Sequence, residues 1–267
     1  MTPDPRTPDP AALLDLAVRA ARAAGEELLT RYRHVEGLDT KSSITDPVSD
    51  ADRAAEALIV KMLLAERPDD GLIGEEGASR PSTSGITWVI DPLDGTVNYL
   101  YELDNFSVSI AAEDADGGVA GAVFDPVMNR MYTAVRGGGA FVDGTPLHVN
   151  DPVPMERSLL ATGFGYSAQR RALQASIVAA LLPQIRDIRR IGSAALNLCE
   201  VAGGRLDAFW EEGVNHWDVA AGGLIAMEAG ALMSTSGLTD AKTGWLVAGP
   251  ALHAELTAAL TAIGPTR

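Results

Sequence analysis

Six carboxylates stand out because of what precedes or follows them. WVIDPLDGTVNYLY, residues 88–101, runs from an apolar stretch into Asp91, then Asp94, then Gly95-Thr96. Glu75 and Glu76 close the apolar segment GLIGEEG, and Asp218 follows Glu211 and Glu212 within EEGVNHWDVAAGG. Asp52 sits in SITDPVSDAD. Hard divalent cations such as Mg²⁺ take oxygen ligands and share them among a few carboxylates, water and substrate phosphate. A Gly-Thr pair opening a helix offers free N–H groups to an anion. The chemistry these residues suit together is metal-assisted reaction at a phosphate. Each segment also has an ordinary reading. DPLDG alone is a turn, Glu75-Glu76 alone a solvated strand end, Asp218 a carboxylate complementing a helix dipole, and Asp52 the third residue of a capping box begun by Ser49.

The periodicity predicts the elements that carry them. Asp9-Pro10 is a helix start, and Leu13, Ala17, Ala21, Ala24 and Leu28 recur at helical spacing, so a helix is expected over 10–33. A second helix runs from Ser49 to the RPDDG stop after Glu66. GLIG and ITWVID are short buried strands, GTVNYLY opens a short helix, and NFSVSIAA alternates with Phe106, Val108 and Ile110 on one face. Several short strands between 118 and 150, separated by Asp-Pro, Gly-Gly-Gly and Asp-Gly turns, complete an antiparallel meander. The rhythm then changes. Strands at SLLATGF, DIRRIG, DAFWEE, Leu232 and WLVAG interleave with helices at 168–182, SAALNLCEVA, Trp217–Ala229 and from Pro250, which favours layered α/β architecture. No linker, repeat or low-complexity tract divides the chain. The expectation is one compact unit with a tail at 1–9, an N-terminal half at 10–155 and a C-terminal half at 156–267.

Bulk composition narrows the function classes. The chain has 267 residues, 46% of them hydrophobic and 21% charged, with a formal net charge of −15. That balance describes a folded protein and disfavours attraction to nucleic acid or an anionic membrane. One cysteine, Cys199, excludes an internal disulfide and a multi-cysteine zinc site. With no apolar run of about 18 residues, no transmembrane helix is expected, and MTPDPRTPDP lacks a signal-peptide layout. A cytoplasmic protein acting on a small phosphorylated substrate is the expectation.

Four segments in order, KSSITDPVSDAD at 41–52, GEEG at 74–77, WVIDPLDGTVNYLY at 88–101 and GVNHWDVAAGG at 213–223, resemble the inositol monophosphatase family. The resemblance extends from about residue 10 over nearly the whole chain, and the pairing of DPLDGT with WDVAAG is its most specific part. It implies the layered α-β-α-β-α sandwich shared with fructose bisphosphatases. It also implies a homodimer, two or three Mg²⁺ ions replaceable by Mn²⁺, and inhibition by Li⁺. Glu75, Asp91 and the Leu93 carbonyl match the first metal's ligands, and Asp91, Asp94 and Asp218 those of the second. Gly95 and Thr96 match the pair that meets the phosphate and the attacking water, with Asp52 bonded to the threonine. Lys41 matches a loop that closes over the metals. Gly192, Ser193, Ala194 and Glu211, with Asp94 and Asp218, match positions around the substrate ring.

The implied reaction is hydrolysis of a phosphate monoester, myo-inositol 1-phosphate first, by direct attack of a metal-activated water. In that reading Thr96 and Asp52, helped by Glu75, orient and deprotonate the nucleophile. Asn98-Tyr99 favours the inositol phosphatases over relatives acting on fructose 1,6-bisphosphate, histidinol phosphate or adenosine 3',5'-bisphosphate, whereas Val97 and the extra Glu212 depart from the family pattern. A catalytically silent metal-binding regulatory protein is the alternative from another class. GGG at 137–139 reads as a tight turn, since the Lys-Ser or Lys-Thr of a P-loop is missing. The scattered His34, His148, His216 and His253 read as surface or structural, Cys199 as core, and Arg189-Arg190 as facing a ligand or, preferably, as surface cover.

Overall fold

The structure is a computed structural model that describes residues 9–33, 39–40, 47–48, 50–236, 238 and 244–264. Lys41, Ser49 and His34, and all of the expected tail except Asp9, lie outside the described residues. Asp9 is not frayed: its carboxylate accepts the Ala11 N–H at 3.1 Å and caps the first helix. Through the N-terminal half run α1 (Pro10–Arg31), β1 (Asp39–Thr40), β2 (Pro47–Val48), α2 (Asp50–Glu66), β3 (Gly71–Gly74), β4 (Ser79–Arg80), β5 (Thr87–Asp94) and α3 (Thr96–Leu100). There follow β6 (Ser107–Asp114), β7 (Gly117–Asp125), β8 (Arg130–Val135), β9 (Gly139–Val142) and β10 (Thr145–Pro146). The remainder holds β11 (Leu159–Ala161), α4 (Ala168–Leu181), β12 (Asp187–Arg189), α5 (Ala194–Ala202), β13 (Ala208–Glu212), α6 (His216–Glu228), β14 (Leu232–Ser236), β15 (Gly244–Ala248) and α7 (Pro250–Ile263).

Strand alternation turns this order into layers. Ile90, Val108 and Ile110 point to one face of an eight-stranded sheet, where the alanine-rich faces of α1 and α2 cover them. Small side chains let α1 approach closely: a Cβ on Gly25 would stand 2.5 Å from the Phe124 ring. Val89, Ala111 and Val123 point the other way, into a core shared with α5, α6 and Phe209 of β13. On the far side of that second, five-stranded sheet, Leu160, Ala208, Trp210 and Leu246 meet α4 and α7. The result is α1/α2, sheet, α5/α6, sheet, α4/α7, the expected α-β-α-β-α sandwich.

Two sheet details depart from the sequence reading. The N-terminal sheet, ordered β10-β9-β8-β7-β6-β5-β3-β4, is not wholly antiparallel, because β3 lies parallel to β5. The β3–β5 connection passes through the β4 edge strand, for which the sequence analysis predicts no element. In the second sheet, ordered β12-β11-β13-β15-β14, only β11 runs parallel to its two neighbours, while β13, β15 and β14 pair antiparallel. As a consequence, the C-terminal ends of β3 and β5 in one sheet and of β11, β12 and β13 in the other open onto the same cavity. Ligand sites in open α/β sheets form beyond such carboxyl ends.

Candidate active site

Asp91 and Asp94 should point to opposite faces of a regular strand, because they are three residues apart. The pairing of β5 with β6 resolves this: Asp91 faces Ser109 and Asp94 faces Ser107, so three steps on β5 match two on β6. The additional residue is a β-bulge at Pro92-Leu93, where a proline without an N–H costs the ladder nothing. The bulge restores a common side for the two aspartates, and both line the cavity. Gly95 then turns the chain into α3 with φ of 97°, and a Cβ there would stand 2.9 Å from the Asn105 carbonyl oxygen. Only glycine makes this strand-to-helix turn without strain.

The neighbouring elements bring in the other acids. The parallel ladder matches Gly74 with Ile90, so Glu75 falls beside Asp91, and its N–H donates to the Ile90 carbonyl at 3.2 Å. The turn carrying Glu75 is held by a residue that the sequence reading passed over. Glu56 of α2 accepts the N–H groups of Glu76 and Ala78, each at 2.9 Å. Asp218 reaches the cavity from the first turn of α6, where it also accepts the Asn215 N–H in a capping box. The capping and cavity roles of that residue therefore coexist. Asp94 accepts Ser193 Oγ at 2.5 Å, Ala194 N–H at 3.2 Å and Ala195 N–H at 2.7 Å, which seats its carboxylate on the start of α5.

Thr96 and Asp52 meet as the sequence suggested. Thr96 Oγ1 lies 3.2 Å from Asp52 Oδ1 and 3.1 Å from the Leu93 carbonyl oxygen, and both side chains are buried. Both neighbours are acceptors, so the single hydroxyl hydrogen is committed to them and the oxygen's lone pairs are left to accept a hydrogen bond from something else.

Electrostatically the acid cluster is self-repelling. Burial, then the charges of Glu75, Asp94 and Asp218, hold the Asp91 carboxyl well above the usual carboxylate range. Burial lifts Asp94 to about 6 against the opposing hydrogen bonds of Ser193, Ala195 and Ala194. Asp218 is likewise pushed well up, by burial and then by Asp94 and Glu75. Glu211 rises to about 7 through burial, with Arg190 opposing and Asp94 adding. Oxygen donors that repel one another in a buried place are the set a hard cation would relieve. Among the described residues, no three His, Cys, Asp or Glu side chains are yet closed around one point. Asp91, Asp94 and Asp218 are instead held by N–H and hydroxyl donors. The fit to a divalent metal thus lies in donor chemistry and shared cavity.

That cavity encloses about 590 Å³, and Glu75, Asp91, Leu93, Asp94, Gly95, Thr96, Gly192, Ala194, Glu211 and Asp218 all line it. The structure refines several expectations. Ser193 does not line the wall: its hydroxyl is buried, donating to Asp94 and accepting the Leu196 N–H at 3.1 Å, so it positions the aspartate. Asn98 and Tyr99 lie outside the cavity wall, each tied to backbone carbonyls. Asn98 Nδ2 donates to the carbonyls of Asn105 at 2.6 Å and Ile191 at 2.9 Å, and Tyr99 Oη donates to the Leu28 carbonyl at 2.7 Å. Arg190 leaves the surface role to Arg189, which pairs with Asp187, and itself lines the cavity. Sequence reasoning missed Thr162, Gly163, Tyr166 and Arg170, which line the wall together with Trp217. The one signal near the first three was GFG at the end of the expected strand SLLATGF. A Cβ on Gly163 would lie 2.0 Å from Glu211 Oε1, so the glycine makes room for that carboxylate.

With the site described, similarity to known proteins can be stated. The inositol monophosphatase family matches residues 9–264. An inositol-1-monophosphatase of Mycobacterium bovis is 42% identical over 273 residues, an alignment spanning 94% of both chains. A Haemophilus influenzae protein named Nus factor SuhB is 40% identical over 243 residues, covering 89% of this chain and 91% of its own. The solved structure of Mycobacterium tuberculosis SuhB superposes with a TM-score of 0.84 at 39% identity, covering 98% of this chain and all of that one (100%).

Proposed function

Since the chain belongs to the inositol monophosphatase family, we propose that it hydrolyses phosphate monoesters of small polyols or sugars with Mg²⁺, myo-inositol 1-phosphate being the reference substrate. Relatives of similar identity carry phosphatase and Nus factor names, so membership alone does not select the enzyme. The observation that favours the enzyme is the Thr96 hydroxyl, held between Asp52 and the Leu93 carbonyl in the same turn that delivers Asp91 and Asp94. A protein keeping only the scaffold would have no need of that arrangement.

Glu75, Asp91, Asp94, Asp218 and the Leu93 carbonyl are the residues that would hold metal. When bound, Mg²⁺ supplies neutralisation of phosphate charge and acidification of water. The protein's own residues do the rest. The Gly95 and Thr96 N–H groups hold a phosphate oxygen, and the free lone pair of Thr96 Oγ1 takes a hydrogen bond from water and aims its oxygen at phosphorus. Asp52 keeps the threonine in that orientation, and Glu75 accepts the proton. Gly192, Ala194 and Glu211 form the wall against which the alcohol portion rests. Because the protein carries −15 overall, cations between it and an anionic substrate are an electrostatic requirement.

The same proposal covers assembly as a homodimer, a cytoplasmic setting and the action of both halves as one unit. The last is supported by α5 and α6, whose side chains join a core touching both sheets. Among the described residues no helix is long and apolar enough to cross a membrane. The test is phosphate release from myo-inositol 1-phosphate with and without Mg²⁺, alongside Mg²⁺ binding by calorimetry. Turnover that a chelator abolishes is the expected result. Metal binding with no release from any sugar or cyclitol phosphate would instead establish the silent metal-binding protein.

A further inference from the structure

The cavity has two unlike walls. Its floor holds Glu75, Asp91, Asp94 and Asp218, while Arg170 and Arg190 stand on the side built by the second sheet. Among the described residues neither guanidinium has an ion-pair partner, although Arg190 acts on Glu211 at longer range. Arg170 is also held in place. A Cβ on Gly165 would stand 2.6 Å from its Cδ and one on Gly213 3.1 Å from its Nη1, so two glycines leave the channel in which the side chain runs. The loop beneath it is fastened by Gln174, buried, which accepts the Gly165 N–H and donates to the Glu212 carbonyl, both at 2.8 Å. On the same wall Arg170 Nε, Thr162 Oγ1 and Trp217 Nε1 are buried without a hydrogen-bond partner. A donor-rich surface with two positive charges, one of them held in place, and incomplete hydrogen bonding matches a dianion, and arginine forks suit phosphate oxygens in particular.

Resting on the phosphatase reading, we propose that the alcohol portion of the preferred substrate bears a second phosphate, held by Arg170 with Arg190 while the scissile phosphate lies over the carboxylates. Bisphosphates are therefore favoured over the corresponding monophosphates. Arg170 is the principal contact, because its side chain is the one clamped by the fold. If the arginines merely drew anions toward the cavity, all phosphate esters would respond alike to their loss.

The experiment measures phosphate release with Mg²⁺ from fructose 1,6-bisphosphate and fructose 1-phosphate, a pair sharing the ester under attack. Wild-type protein, Arg170→Gln, Arg170→Lys and Arg190→Gln are compared as kcat/KM. A charge-assisted contact corresponds to about 10-fold or more in the ratio of the two substrates. The wild-type ratio is expected to favour the bisphosphate by at least that factor, to collapse in Arg170→Gln and to recover in part in Arg170→Lys. A wild-type ratio near one, or equal loss on both substrates in Arg170→Gln, overturns the proposal. Calorimetric binding of both compounds with Ca²⁺ in place of Mg²⁺ gives the same ratio without turnover. If neither fructose ester is hydrolysed, the binding ratio alone decides the second-phosphate site, while release from myo-inositol 1-phosphate decides the phosphatase reading.

Discussion

Thr96→Val replaces the hydroxyl with a methyl group at nearly constant volume and leaves the turn intact. Thr96 Oγ1 contacts Asp52 Oδ1 at 3.2 Å and the Leu93 carbonyl at 3.1 Å, so the substitution removes the donor from two buried acceptors. Leaving a buried acceptor short of a donor costs about 1 to 3 kcal/mol, and the folded protein should lose stability in that range. The catalytic loss is separate. If the threonine oxygen orients the attacking water, kcat falls by about 10² to 10⁴, the usual range for positioned proton-transfer groups. At about 1.36 kcal/mol per decade that is roughly 3 to 5 kcal/mol of activation free energy. KM should change little, because the hydroxyl serves the step and not the binding. Phosphate release from myo-inositol 1-phosphate at saturating Mg²⁺, with thermal unfolding recorded in parallel, separates the two effects. Thr96→Ser retains the hydroxyl and should keep kcat within about one decade. Wild-type kcat in Thr96→Val, whatever its melting temperature, would refute the assignment of the nucleophile.

Glu56→Gln tests the support beneath Glu75: one amide oxygen cannot accept both the Glu76 and Ala78 N–H groups, so the expected loss is about 1 to 3 kcal/mol in chemical denaturation. A melting curve identical to wild type would show that the turn holds itself. Glu211, raised to about 7, sets a pH dependence in metal-free protein. Its folded pKa lies above the ordinary 4.5, so between those values the unfolded chain has released a proton that the folded chain retains, and stability falls as pH rises. The loss between pH 5 and pH 8 is on the order of 1 to 3 kcal/mol, and Glu211→Gln should flatten that slope. An unchanged slope in the chelated variant would assign the titration to another group.

The sequence carried Glu75, Asp91 and Asp94 legibly because they stand at the ends of apolar runs, where hydrophobic periodicity fixes the strand and the next polar residue must emerge at its carboxyl end. It did not carry their common orientation. Asp91 and Asp94 share a side through the shift at Pro92-Leu93, which is a property of pairing with Ser107 and Ser109 and invisible in one strand. The structural task of Asn98 is hidden for a related reason. Its amide bridges Asn105 and Ile191, residues 7 and 93 positions away, so a polar side chain next to the site has a structural task. Arg170 and Glu56 escaped notice because nothing local marks them: one lies in an ordinary α4 first turn and the other in the middle of α2. Their importance arises from glycines and N–H groups distant in sequence.

The bond from Asp94 to the start of α5 explains how a site split between two sheets keeps its shape while its charges repel. Gathering Glu75, Asp91, Asp94 and Asp218 in a buried place opposes folding, since burial and like charge both disfavour the ionised carboxyls. Part of that cost is offset where the Asp94 carboxylate meets the N–H groups of Ala194 and Ala195 at a helix N-terminus, the end of α5 that favours an anion. The same contact links β5 of the first sheet to the helix packed between both sheets, so the stabilising interaction also fixes the distance between the acidic floor and the wall carrying Gly192, Ala194 and Glu211. Residual repulsion remains, as the raised Asp91 and Asp218 show, and a bound cation is what would remove it. Under the proposed function, stability given up in the unliganded protein would be converted into affinity for metal and, through metal, for phosphate.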